Sequence, residues 1–264
     1  MTETVSTRRE ARATIVTIER PERRNAVDFR TAQALFEAFR RFDRDAESDA
    51  AILTGAGGAF CAGFDLKALH EGDRPPVEPD GEFGPMGPTR LKLSKPVIAA
   101  VEGPAVAGGL ELALWCDLRI AARAAVFGVF NRRFGVPLID LGAIRLPRII
   151  GHGRAMELIL TGRPVGAEEA LRIGLVNEIV EDGEALPRAL ALAKLLSSFP
   201  QTGLRNDRLS AIEQWELAGE EAVRNEVRRG LETIASGEAA EGSARFSGGE
   251  GRHGALATPK PGPG

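Results

Sequence analysis

Two glycine-rich loops constrain this chain more than any other feature. The first, GAGGAFCAGFDL (55–66), follows the apolar run AILTG (51–55). The second, GPAVAGG (103–109), follows KPVIAAVEG (95–103) and leads into the apolar stretch LELALW, after which CDLRIAA (116–122) reads as strand again. Short β-branched or apolar runs bounded by glycine read as buried strands, and glycine permits the tight turn that follows. The recurrence of strand, glycine-rich loop and helix therefore predicts an α/β fold of stacked β-turn-helix units, without a strict sequence repeat. ATIVTIE (13–19) alternates and reads as a further strand. Residues 28–42 carry Ala32, Leu35, Phe36, Phe39 and Phe42 at helical spacing.

The second half changes character. AMELILTG, AEEALRIG and ALPRALALAKLLSSF are successive helical stretches punctuated by glycine and proline. Residues 216–236 read as one long helix whose stripe, Leu217, Val223, Val227, Leu231 and Ile234, needs a partner surface: the chain's own core or another subunit. Residues 71–90 are rich in Gly and Pro and read as a loop or mobile flap. The expected layout is a core over 1–200, a helical region over 201–250, and a disordered tail over 251–264.

Composition removes several function classes. A formal charge of −3 with no large basic run argues against nucleic acid as the partner. The two cysteines form no C-x-x-C pair, and His70, His152 and His253 have no metal-ligand spacing, so neither a metal nor a redox cofactor is expected. The N-terminal segment lacks an apolar signal core, and no apolar run approaches the roughly 18 residues that span a bilayer. The expected location is cytoplasmic. GAGGAF lacks the third glycine of the dinucleotide fingerprint, and no ribose-binding acid stands at the expected spacing.

Four blocks, in order, carry a resemblance: RPERRNAV (20–27), GAFCAGFDL (58–66), EGPAVAGGLELALWCDLRIA (102–121) and the stretch from RLPRIIG to GLVNEIV (145–180). They resemble, in register, the RP-x-x-x-NA, F-x-AG-x-DL and G-x-A-x-GGG-x-E-L-x-x-x-CD segments of the crotonase (enoyl-CoA hydratase/isomerase) superfamily and the segment that follows. The resemblance implies a crotonase-like spiral of β-β-α units, a C-terminal helical trimerisation region, assembly as a homotrimer or dimer of trimers, and an acyl-CoA thioester substrate. Coenzyme A enters as part of that substrate.

Reactions beside a thioester carbonyl pass through an enolate-like state, so paired N–H donors aimed at the carbonyl oxygen lower the barrier. By resemblance the oxyanion-hole donors are Ala62 and Gly108, and Glu111 is one of the two glutamates that move protons in the family's hydratases. Glu111 lies among apolar neighbours, which favours a raised pKa suited to acid/base work. Asn131 aligns with the second glutamate; an amide can hydrogen-bond water or substrate but cannot serve as an acid or base. Asp140, in PLIDLG, reads equally as a catalytic carboxylate and as a helix N-cap. Asp65 is expected to cap the helix after the first loop. The coenzyme A contact is expected from Arg24, Ala26 and Val27 together with Ala62, Gly63, Phe64, Asp65 and Leu66 of that loop. Trp115 and Trp215 read as packing residues; Arg132 and Arg133 either face solvent or neutralise Asp140.

The reading is thus a lyase that hydrates a 2-enoyl-CoA, or dehydrates a 3-hydroxyacyl-CoA, through a stabilised thioester enolate. Two alternatives stay open at this level: an isomerase or other crotonase-type reaction that uses one carboxylate, and an acyl-CoA-binding protein without catalysis.

Overall fold

A computed structural model describes residues 3–73, 75–248 and 250. The strands are β1 (Val5–Glu10), β2 (Ala13–Ile18), β3 (Ala50–Gly55), β4 (Val97–Val101), β5 (Pro104–Val106), β6 (Leu118–Ala122), β7 (Val126–Gly128), β8 (Val165–Gly166) and β9 (Glu178–Val180). The helices are α1 (Phe29–Arg44), α2 (Leu66–His70), α3 (Gly108–Trp115), α4 (Gly142–Ile150), α5 (His152–Thr161), α6 (Ala167–Arg172), α7 (Ala185–Ser197), α8 (Gln201–Glu213), α9 (Gly219–Ala235) and α10 (Glu238–Ser247).

Six strands form the main sheet in the order β1-β2-β3-β4-β6-β9, parallel from β2 onward. A smaller sheet, β5-β7-β8, stands beside it. Parallel strands linked by helices are buried on both faces. Ile15, Ile52, Ile98 and Ile120 meet α7 through Ala185, Ala189 and Ala193. The alternate positions Val16, Leu53, Ala99 and Ala121 face the larger cluster under α1 and α3. The alanines recur every fourth residue and let α7 lie close on the sheet.

The sequence reading missed β1, whose residues VSTRRE carry one buried side chain and little apolar signal. It pairs antiparallel with β2 across a turn in which Ala11 has φ 49°. The long C-terminal helix begins at Gly219, after Leu217 has turned the chain extended. Val223, Val227, Leu231 and Ile234 of its stripe are each more than half exposed on this single chain. The helices after Pro200 are tied to the core by Arg205–Asp49 (3.0 Å) and Arg208–Asp117 (2.9 Å). The tail expected to be disordered lies outside the described residues. No helix among the described residues is long and apolar enough to cross a membrane.

The 71–90 segment is a loop, one of the two expected readings, but it divides in two rather than forming one mobile flap. Residues 84–89 are buried, whereas 78–82 are exposed. Phe83 anchors the junction, packing edge-on against Phe29 and Phe36 of α1.

Candidate active site

The first glycine-rich loop is built on a latch from the RPERRNA segment. Asn25, buried with φ 55°, accepts from the Arg20 N–H (2.9 Å) and donates to the carbonyls of Ala56 (2.8 Å) and Ala59 (2.6 Å). The Arg20 guanidinium pairs with Asp65 (2.9 Å) and Asp28 (3.0 Å) and donates to the Ala26 carbonyl. Asp65 caps α2, as the sequence suggested, by accepting from the N–H groups of Lys67 and Ala68. Its carboxyl is buried, which would raise its pKa, yet the bonds from Ala68 and Arg20 hold it below the usual range. The Val27 N–H donates to the Gly63 carbonyl, and the Asp65 N–H to the Val27 carbonyl (both 2.8 Å). Ala26, Val27, Gly63 and Asp65 therefore support the loop from behind. Ala62, Phe64 and Leu66 line the cavity in front of it. Arg24 is exposed, and its side chain has no protein partner among the described residues. The sequence reading missed Arg20 and Asn25; the RP and NA letters that flank Arg24 were the available signal.

The two glycine-rich loops meet at the N-terminus of α3. The Cys61 N–H donates to the Pro104 carbonyl (2.9 Å), and the Val106 N–H to the Cys61 carbonyl (3.1 Å). Gly63 has φ +97°, and a Cβ there would stand 3.0 Å from the Gly108 nitrogen. Ala107 is held at φ 52°, ψ −125°, a strained conformation for a residue with a side chain, with its N–H donated to the Gly128 carbonyl (2.9 Å). Gly108 N–H opens the helix and has no protein acceptor among the described residues. Ala62 departs from the expectation: its N–H is donated to the Arg24 carbonyl at 3.0 Å. A committed amide is not available to a substrate oxygen. The Phe64 N–H, at the cavity edge, has no protein acceptor among the described residues, because the bridge to Val27 uses the groups on either side of it.

Glu111 lies one turn along α3, 3% exposed. Its Oε1 accepts from the N–H groups of Asp140 (3.0 Å) and Gly142 (2.8 Å), the latter at the start of α4. A Cβ on Gly142 would fall 2.7 Å from that oxygen, so glycine is required for the approach. Oε2 takes no protein donor among the described residues. Burial, and then the neighbouring Asp140 charge, push the Glu111 carboxyl up to about 8, against the pull of the two amides.

Asp140 does not cap α4. The N-cap is Leu141, in a left-handed conformation with no side-chain bond. Asp140 instead reaches back to the 84–89 turn, where its Oδ1 accepts from the Met86 N–H (3.0 Å) and the Thr89 hydroxyl. Burial raises its carboxyl pKa. Arg132 and Arg133 do not neutralise it: they bond the carbonyls of Ile159 and Gly162, and Arg133 lies 3.9 Å over the Phe130 ring. Arg145, half-buried, is a nearby cation and bonds the carbonyls of Asp140 (3.2 Å) and Thr89 (2.6 Å). Asn131 donates Nδ2–H to the Val136 carbonyl (2.8 Å), while its buried Oδ1 has no partner among the described residues. Trp115 packs edge-on against Phe39 and donates to the Leu91 carbonyl. Trp215 is about half exposed and stacks under Arg148.

Behind α3, Arg119 is buried and its guanidinium donates to backbone carbonyls: Leu175 (2.7 Å), Cys116 (2.7 Å) and Ala113 (3.4 Å). Two of these acceptors end the helix that carries Glu111.

Glu111, Asn131 and Asp140 share one cavity of ≈ 300 Å³. Its other walls are mainly apolar and include Leu69, Met86, Phe130, Val136 and Ile139. Free amides at its edge, a buried carboxyl with a raised pKa and an apolar chamber match what the resemblance to crotonase-type enzymes implies. The chain belongs to the enoyl-CoA hydratase/isomerase family, whose model matches residues 8–250. It is 38% identical over 239 residues to the enoyl-CoA hydratase EchA19 of Mycobacterium tuberculosis, covering 88% of this chain and 89% of that one. It is 42% identical over 191 residues to the carnitinyl-CoA dehydratase of Escherichia coli K12, covering 70% and 71%. A crystal structure of enoyl-CoA hydratase EchA1 from Mycobacterium marinum superposes with a TM-score of 0.86 at 38% identity, over 92% of this chain and 95% of that chain. The carnitinyl-CoA hydratase of Mycobacterium avium gives 0.77 at 34% identity, over 94% and 96%.

Proposed function

We propose that the protein catalyses the reversible hydration of a 2-enoyl-CoA to a 3-hydroxyacyl-CoA, with the Phe64 and Gly108 N–H groups as the oxyanion hole and Glu111 as the acid/base. The observation that carries this is the Glu111 carboxyl: buried, held through one oxygen by two amides, with its other oxygen unpartnered in an apolar chamber. Water adds to C3 and passes its proton to Glu111 Oε2. Negative charge collects on the thioester oxygen between the two amides, and the enolate collapses as Glu111 returns the proton to C2. Dehydration runs the same path in reverse. Gly108 also opens a helix, whose N-terminus favours the developing charge. The unpaired Arg24 guanidinium supplies a cation for coenzyme A phosphate. Asn131 offers an acceptor to the hydroxyl or water without taking its proton.

The reaction runs without metal or redox cofactor. The exposed α9 stripe supports assembly as a homotrimer or dimer of trimers, and the location is cytoplasmic. The test is loss of the conjugated-thioester absorbance over a panel of 2-enoyl-CoA substrates; no turnover on any of them rejects the hydratase reading. Asn131 favours one second reading, double-bond isomerisation with Glu111 alone. It predicts formation of 2-enoyl-CoA from a 3-enoyl-CoA, and absence of that product excludes it.

A further inference from the structure

Asp140 joins the 84–89 turn, through its side chain, to the catalytic carboxylate, through its backbone N–H. Gly84 and Gly87 exchange both backbone hydrogen bonds (2.9 and 2.7 Å), closing Pro85 and Met86 into a tight turn. The Met86 N–H and the Thr89 hydroxyl, both in buried residues, donate to one oxygen, Asp140 Oδ1. Arg145 straps the same region by holding the carbonyls of Thr89 and Asp140. Held this way, Pro85 and Met86 line the acyl cavity. The Met86 side chain lies against the first residue of α3, so close that a Cβ on Gly108 would stand 2.6 Å from its sulfur. The Asp140 backbone N–H meanwhile donates to Glu111. One residue thus joins a wall of the cavity to the acid/base group, using different atoms for each.

We propose that Asp140 is a positioning residue that clips the 84–89 turn through Met86 and Thr89, and so sets which acyl groups the cavity accepts. This rests on the acyl-CoA reading of the cavity but not on the reaction performed there. Proton transfer by Asp140 is not needed: what the clip requires is an acceptor oxygen. Asparagine at this position keeps that oxygen. Alanine leaves the Met86 N–H and the Thr89 hydroxyl buried without an acceptor, which forces the turn to move. Thr89→Val removes one of the two bonds and leaves position 140 intact.

The test is the dissociation constants of saturated butanoyl-, octanoyl- and dodecanoyl-CoA, by calorimetry, for the wild type, Asp140→Asn, Asp140→Ala and Thr89→Val. A displaced apolar wall changes affinity by about fourfold for each methylene newly buried or newly exposed. The ratios between chain lengths are therefore expected to shift at least about fourfold in Asp140→Ala and Thr89→Val, and to stay within about twofold of wild type in Asp140→Asn. Lowered thermal stability with unchanged ratios in both shifted variants would mean a merely structural bond and overturn the clip. An equal shift in Asp140→Asn and Asp140→Ala would overturn it as well, in favour of a role for the charge. If Asp140→Ala does not fold, Thr89→Val against Asp140→Asn decides alone. Turnover on enoyl-CoA is read separately: acyl-CoA binding with the expected ratios but no hydration rejects the proposed reaction and leaves the clip standing. Failure of the wild type to bind any of the three thioesters overturns both.

Discussion

Replacing Glu111 by glutamine removes the acid/base chemistry while leaving the surrounding structure in place. The Glu111 oxygen that accepts from Asp140 and Gly142 has an equivalent in the glutamine amide, so both bonds, at 3.0 and 2.8 Å, survive the change. What is lost is the proton carrier on the other oxygen. A positioned acid/base contributes on the order of 10²–10⁴-fold to the rate. With no other group assigned to the proton, the fall in kcat is expected near ~10³-fold. KM should change little, because the amides that hold the thioester are untouched. The assay is initial rate on the best enoyl-CoA of the panel, with circular dichroism to confirm the fold. The variant also tests the cause of the raised pKa. The folded-state value, about 8, lies above the ordinary carboxylate value, so the stability this group contributes is present at low pH and is lost as pH rises through about 8. Glutamine has no such dependence. The Tm of the variant relative to wild type should therefore rise between pH 6 and 9. Retention of more than a tenth of kcat, or parallel Tm curves, would refute the assignment.

Other outcomes follow from the same site. One titrating carboxyl that must start ionised gives a kcat/KM that climbs about tenfold per pH unit below about 8 and then levels; a bell-shaped profile would reveal a second essential group. Gly142→Ala should lower kcat by on the order of 100-fold with the fold kept, since the new methyl meets Glu111 Oε1, and a wild-type rate would show that the carboxylate is not held as described. Asn131→Leu removes an unpartnered buried acceptor together with the donor to the Val136 carbonyl, so stability by urea titration should fall by about 1–2 kcal/mol while hydration slows by about tenfold or more; unchanged turnover would remove Asn131 from the site. Val227→Asp with Leu231→Asp places charges on the exposed α9 stripe and should dissociate the proposed trimer in analytical ultracentrifugation; an unchanged mass would show that the stripe is not the interface.

Much of the site was legible because its letters are local. Glu111 stands in an otherwise apolar helix just after a glycine pair, and that alone marks a buried carboxylate near a free helix N-terminus. The direction of a backbone N–H is not local. Whether Ala62 or Phe64 offers its amide depends on Arg24, 38 positions earlier, whose carbonyl takes one of them (3.0 Å). Asp140 was ambiguous for the same reason: the donors to its side chain, Met86 and Thr89, lie more than 50 residues upstream, and nothing near position 140 announces them. The parallel strands were readable from apolar runs, whereas β1 was hidden because an edge strand with one buried residue has no pattern to show.

Arg119 gives α3 an electrical asymmetry. A helix normally presents opposite partial charges at its two ends, and the negative end weakens the field of the positive one. Here the guanidinium sits on the carbonyls of Ala113 and Cys116, at the end away from the substrate, and is sealed there from water. The negative pole is thereby offset inside the protein, which strengthens the pole at Gly108 relative to it. The eight-residue helix acts as a source of positive potential aimed at the cavity. An uncharged side chain at position 119 would weaken that potential from the opposite side of the protein, without touching a single atom of the cavity.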